Sequence, residues 1–211
     1  MTLDNIKEEI CSAKNIVILT HDVPDGDAIG SSLAMYIGLK QLGKDADVVI
    51  PKYSKTYKFL PFTDEIKEKG RVENYDLAIA LDCGDIKRLN GFASYFEYAN
   101  CKISIDHHEA NTMFADYNFV DPTAPACSQI LITVLKALKI EITKDIGTCL
   151  LTGVITDTGG FKYKSVKPET FEFAAELLSK GVNVSDIYRK VLQSIPVEKF
   201  EQKMLKMLNF V

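Results

Sequence analysis

The sequence is short of several things, and each shortage removes a class of function. No apolar run approaches the roughly 20 residues that a membrane-spanning helix needs. No block of Lys or Arg occurs, and 25 basic residues face 29 acidic ones, for a net charge of −4. Tight binding to long nucleic acid through many phosphate contacts is therefore not expected. A short nucleotide held by metal ions and a few basic side chains still fits this balance. The five cysteines (Cys11, Cys83, Cys101, Cys127 and Cys149) form no C-x-x-C pair, which leaves a thiolate zinc site unsupported. Their odd number, with no signal-like leader in these residues, predicts a reducing, cytoplasmic setting. Tryptophan is absent, and neither an internal repeat nor a low-complexity linker is present. At 211 residues, one large domain, or one with a small appendage, accounts for the length.

What is present centres on His21-Asp22-Val23-Pro24-Asp25-Gly26-Asp27-Ala28-Ile29-Gly30. The β-branched run Asn15 to Thr20 reads as a buried strand that delivers this stretch. Pro24 and Gly26 break the chain into a loop. From Asp27 the apolar spacing is helical, and Gly43 ends it. An imidazole and two carboxylates thus share a tight strand-to-helix loop, a donor mixture suited to hard divalent cations. The plainer reading is an Asp-Gly turn with Asp27 as an ordinary N-cap.

Further along, Asp45–Pro51, Asp76–Leu81, Lys102–Ile105 and Asn118–Asp121 read as strands. Leu3–Ala13, Phe92–Tyr98, Ala126–Leu138, Asp145–Thr156, Thr170–Lys180, Ser185–Gln193 and Val197–Leu208 read as helices. Residues 52–71 are mixed, with Tyr53, Tyr57, Phe59, Leu60 and Phe62 clustered as core or lid packing. The alternation predicts an α/β fold: a doubly wound, mostly parallel sheet with helices on both faces and a helical C-terminal part. Ligands of such sheets bind outside the carboxyl ends of the strands. His21, Asp82, Asp106 and His107 all fall just after predicted strands.

The chain's only histidines (His21, His107 and His108) lie in these acidic clusters. If the fold is right, Asp25, Asp27, Asp82 and Asp157 converge. Two unit charges 4 Å apart repel by about 4 kcal/mol at an effective dielectric near 20. Two divalent cations remove that conflict, so a two-metal centre is the simplest account of the cluster.

These residues resemble the DHH phosphoesterase family, whose four motifs appear in order. They are His21-x-x-x-Asp25-x-Asp27 with Gly30, Asp82 after a strand, Asp106-His107-His108, and Asp157 in Thr156-Asp157-Thr158-Gly159. Within the family, Tyr57-Lys58-Phe59-Leu60-Pro61 and Asp157-Thr158-Gly159-Gly160-Phe161 are similar to bacterial bifunctional oligoribonucleases that also act on 3′-phosphoadenosine 5′-phosphate. The resemblance implies a metal-dependent hydrolase of short oligoribonucleotides or 3′-phosphorylated nucleotides, working through a two-metal-activated hydroxide. It implies that His21, Asp25 and Asp82 hold one cation, and Asp27, Asp82, His107 and Asp157 the other. Asp82 would bridge, His108 would donate to the phosphate, and Asp106 would orient an imidazole. Asp22 and Asp85 are expected to be structural.

The mixed oxygen and nitrogen donors suit Mn²⁺ ahead of Mg²⁺. An inorganic pyrophosphatase or polyphosphatase, and a nucleotide-binding module without turnover, are the alternatives. The resemblance also implies that residues 1–190 form the metal-binding domain. Residues 191–211 would lead toward a second, substrate-gripping domain absent from this chain. The apolar stripe of that last segment predicts pairing of two chains or docking on the domain's own sheet.

Overall fold

The computed structural model describes residues 3–50 and 52–193. The sheet runs β1 (Asn15–Leu19), β2 (Asp45–Val49), β3 (Ile66–Lys67), β4 (Leu77–Leu81), β5 (Cys101–Asp106) and β6 (Tyr117–Val120). The helices are α1 (Leu3–Ser12), α2 (Gly26–Gln41), α3 (Ala93–Glu97), α4 (Cys127–Ala137), α5 (Lys144–Asp157), α6 (Pro168–Ser179) and α7 (Val184–Val191). The expected helix over 197–208 lies outside the described residues, as does most of the 191–211 segment.

Every strand pair is parallel, and the spatial order is β3-β2-β1-β4-β5-β6. The chain therefore winds outward from β1 in one direction and from β4 in the other. Their carboxyl ends flank the crevice where such sheets take ligands. The two central strands, β1 and β4, are apolar almost throughout because both faces are covered. Ile16 and Ile18 of β1 face the larger core with Ile79 and Ile103, while Val17 turns to the smaller core with Ala78, Ala80, Leu89 and Phe96. The cover is uneven. Helices α2, α4 and α5 line the larger core; α3 and the 3₁₀ turns over Ile86–Phe92 make the smaller one.

The expected strands are all found, and β3 is added to them. This two-residue edge strand has no apolar run to announce it. It is set by a buried charge: Asp47 of β2 is fully buried and accepts from Lys67 Nζ (2.9 Å), Arg71 Nε (2.6 Å), Arg71 N (2.9 Å) and Tyr75 Oη (2.6 Å). Residues 52–65 resolve into 3₁₀ turns at Lys55–Phe59 and Thr63–Glu65. Tyr53, Tyr57 and Phe59 pack on the larger core as expected, and Phe62 instead meets Tyr36 edge-on at the surface.

Helix α2 is buried along nearly its whole length, and α5 crosses it closely. Small residues make that crossing. A methyl on Gly30 would strike the Cys149 carbonyl, and one on Gly26 would strike the Thr156 side chain. A methyl on Gly153 would overlap Ser128 Oγ and Asp27 Oδ1. This seam brings the first turn of α2, with Asp27, against the last turn of α5, with Asp157. Gly153→Ala is therefore expected to overpack the seam, at a cost of roughly 1–3 kcal/mol. It should also weaken the Asp27 side of any cation site. Thermal unfolding beside a Mn²⁺ titration checks both; wild-type values in each would show that the seam has slack.

Among the described residues no helix is long and apolar enough to cross a membrane.

Candidate metal centre

The residues singled out from the sequence meet at the carboxyl edge of the sheet, around the gap between β1 and β4. His21 follows β1 and Asp82 follows β4, with His21 Nε2 3.7 Å from Asp82 Oδ2. Asp82 has a left-handed backbone (φ 54°), a conformation rare outside Gly and best tolerated by Asn and Asp. Such strain is tolerated where a side chain must be aimed at one place. His107 follows β5; its Nε2 lies 3.3 Å from Asp82 Oδ1, 3.3 Å from Asp157 Oδ2 and 4.0 Å from Asp27 Oδ2. Among the described residues, three groupings have one donor atom per residue within 4.8 Å of the others: His21 with Asp25 and Asp82; Asp27 with His107 and Asp157; and Asp82 with His107 and His108.

Backbone amides aim the carboxylates. Asp25, not Asp27, is the N-cap of α2: its Oδ1 accepts from Asp27 N (3.0 Å) and Ala28 N (3.1 Å). Asp27 does its capping elsewhere. Its two oxygens accept from Cys127 N (2.5 Å) and Ser128 N (3.0 Å) at the start of α4, a hundred residues away. Helix α4 has Ala126 at its own N-cap position and no local side-chain cap, so the Asp27 oxygens supply the acceptors that its first amides would otherwise lack.

Asp106, fully buried, holds His108: Oδ1 is 2.7 Å from His108 Nδ1. Its other oxygen accepts from Asn111 Nδ2 at 2.7 Å. Asn111 escaped the sequence reading because an Asn in a loop carries no signal of its own. Its spacing, five residues past Asp106, is the one clue. The imidazole that Asp106 orients is thus His108. His107 instead places Nδ1 3.4 Å from the Ala124 carbonyl. Asp85 caps the turn that follows it, accepting from Lys87 N at 2.8 Å. Asp22 meets the same turn, its N–H donating to Arg88 O at 2.8 Å. Both stand outside the three groupings.

The electrostatics show a site crowded with negative charge. Burial, then the charges of Asp82 and Asp157, hold the Asp27 carboxyl well above the ordinary carboxylate range. Burial chiefly, with Asp82 and Asp25, also raises Asp157. Burial pushes Asp82 the same way, but the imidazoles of His107 and His21 outweigh it and leave Asp82 below its usual value. Burial disfavours charge on His107 too, yet Asp157, Asp82 and Asp27 push it up to about 11. The surrounding carboxylates thus favour a proton on His107 when no cation is bound.

The donor set fits a divalent cation on an independent ground. His21 Nδ1 and Asp82 Oδ1 are buried with no hydrogen-bond partner in the protein. His107 is near enough to Asp82 Oδ1 for attraction but makes no hydrogen bond to it. A bare buried acceptor costs about 1–3 kcal/mol, more when charged. Oxygen and imidazole donors without a thiolate match Mn²⁺ or Mg²⁺ chemistry better than a closed zinc site.

Cation binding should therefore release protons. His107 must lose its proton to become a ligand, and Asp27 and Asp157 hold theirs more tightly than usual. Apparent Mn²⁺ affinity is expected to rise from acid through neutral to mildly alkaline pH, still below the cation-free value of His107. Calorimetry in buffers of different ionisation enthalpy measures the release. Binding independent of pH and buffer would remove His107 from the ligand set.

A parallel α/β sheet with a carboxylate–imidazole centre at its crevice defines the class. The chain belongs to the DHH family: residues 15–154 match the model of the DHH family, N-terminal domain. It is 38% identical over 175 residues to the bifunctional oligoribonuclease and PAP phosphatase NrnA of Thermus thermophilus, a match covering 82% of this chain and 52% of that protein. The crystal structure of an exopolyphosphatase-related protein from Bacteroides fragilis superposes with a TM-score of 0.86 at 30% identity. It covers 92% of this chain and 61% of that one. The chain thus spans about half the length of the Thermus protein.

Proposed function

We propose that this chain carries the metal centre of a phosphoesterase that hydrolyses short oligoribonucleotides, 3′-phosphorylated nucleotides, or both, in the cytoplasm. The observation that carries the reading is the pair of donor groupings on either side of Asp82. His21, Asp25 and Asp82 would hold one cation; Asp27, Asp82, His107 and Asp157 would hold the other, with Asp82 shared. Mn²⁺ is the preferred ion, with Mg²⁺ second. Bound there, a cation pair supplies an activated water nucleophile at neutral pH and charge neutralisation for the phosphoryl oxygens.

The chain's own residues do the rest. His108, half-buried and held at Nδ1 by Asp106, leaves Nε2 free to donate to the phosphoryl group. The Asp106 hydrogen bond raises the His108 pKa, which favours the protonated, donating form. Asn111 fixes Asp106 from the far side. The likeness to the Thermus oligoribonuclease and PAP phosphatase supports short ribonucleotide substrates, and the modest net charge supports small ones over long polymers.

The test is a small panel in Mn²⁺: a short RNA, 3′-phosphoadenosine 5′-phosphate and inorganic pyrophosphate. Release of mononucleotide, or of phosphate from the adenosine compound, is expected, and chelation should abolish it. Turnover of pyrophosphate alone would replace this reading with a pyrophosphatase. Stoichiometric nucleotide binding without turnover would replace it with a sensor.

A further inference from the structure

The loop that follows β5 doubles back on the metal centre and is fastened to two neighbouring strand ends. Asn111 N donates to the His108 carbonyl at 3.1 Å and closes a turn. Thr112 N donates to the Gly84 carbonyl at 2.9 Å, just past Asp82 at the end of β4. Met113 then takes a left-handed backbone (φ 54°), rare for such a side chain, although it lies exposed. Strain of this kind persists where surrounding contacts over-determine it. The contact here is Asn111, whose Oδ1 accepts from Met113 N at 2.7 Å.

That bond also decides which way the Asn111 amide faces. With Oδ1 engaged by Met113, Nδ2 is the end turned toward the strand ends. It donates to Asp106 Oδ2 at 2.7 Å and reaches the Cys83 carbonyl at 3.5 Å. Asp106 is fully buried, and its other oxygen lies 2.7 Å from His108 Nδ1. One amide therefore joins the support of His108 to the backbone that directly follows Asp82. Asp at this position would keep the acceptor for Met113 N and lose the donor to Asp106; Ala would lose both.

We propose that Asn111 is a positioning residue: through Asp106 it holds the His108 ring in register with the Asp82 end of β4, so that donor and cations meet one phosphoryl group together. The role rests on the phosphoesterase reading. Asn111 acts on the rate through His108 and needs no contact with substrate.

The experiment uses the full chain in Mn²⁺, as wild type, Asn111→Ala, Asn111→Asp, His108→Ala and the double variant Asn111→Ala with His108→Ala. In both single Asn111 variants, kcat for 3′-phosphoadenosine 5′-phosphate is expected to fall about 10–100-fold, the range for partners that orient a site imidazole. KM and cation content should stay near wild type. Asn111→Asp keeps the anchor for Met113 N, so a loss there does not come from a collapsed loop. Added to His108→Ala, Asn111→Ala should cost no more than about twofold, because no donor is left to position. A merely structural Asn111 would carry its full penalty into the double variant. That result, or an unchanged kcat in both single variants, overturns the proposal. A second readout needs no turnover. In the cation-free chain, the His108 Nδ1 proton bonded to Asp106 should give a downfield NMR resonance that is lost in Asn111→Ala and Asn111→Asp. If wild type hydrolyses no phosphoester, the phosphoesterase reading fails and the resonance still decides the positioning. Its loss in the variants then supports the role; its persistence ends it.

Discussion

Asp82→Asn is expected to abolish turnover, by at least about 10³-fold, and to empty both cation positions while leaving the fold in place. The size of the effect follows from sharing. Loss of one transition-state donor typically costs about 10²–10³ in kcat; Asp82 is proposed to serve two cations at once. The fold should survive because Asn keeps the shape of Asp and tolerates the left-handed backbone at this position. The substitution removes a buried charge that now faces His21 at 3.7 Å and His107 at 3.3 Å. A well-folded variant with two cations bound and near wild-type rates would dissolve the bridging assignment.

His108→Ala should lose about 10²–10³ in kcat, the cost of one donor to the reacting group, with cation content preserved. The contrast with its neighbour makes the expectation sharp. His107 Nε2 points into the carboxylates Asp27, Asp82 and Asp157, so His107→Ala should lose a cation. His108 is held by Asp106 through Nδ1, and Asp82 Oδ1 lies 3.7 Å from that same nitrogen. Its other ring nitrogen is the one proposed to meet the substrate. Elemental analysis and single-turnover rates of the two variants separate the roles. Cation loss in His108→Ala with retention in His107→Ala would show the assignments to be reversed.

Much of this arrangement was legible in the sequence because it is carried by short-range patterns. Short apolar runs, β-branched in β1, marked five of the six strands, and each polar cluster stood directly after one. The parallel, doubly wound order then placed His21, Asp82, Asp106 and His107 on a common edge. What stayed hidden depends on contacts between distant parts of the chain. Strand β3 exists because a buried Asp47 gathers Lys67, Arg71 and Tyr75, and no two-residue window shows that. The capping of α4 by Asp27 spans a hundred residues, and the plainer alternative of Asp27 as N-cap of its own helix gives way to Asp25. Asn111 acts through Asp106 and has no periodicity to betray it. The glycines of the α2–α5 seam read as ordinary helix residues until the crossing shows why no methyl fits.

Asp82 is proposed to sit between two cation positions on this one chain. Titration of the full chain with Mn²⁺ under equilibrium dialysis, with Asp82→Asn run beside it, decides whether Asp82 is shared. Two ions per wild-type chain are expected, with neither retained at comparable affinity in the variant. One ion per wild-type chain, or two in both proteins, would contradict that sharing.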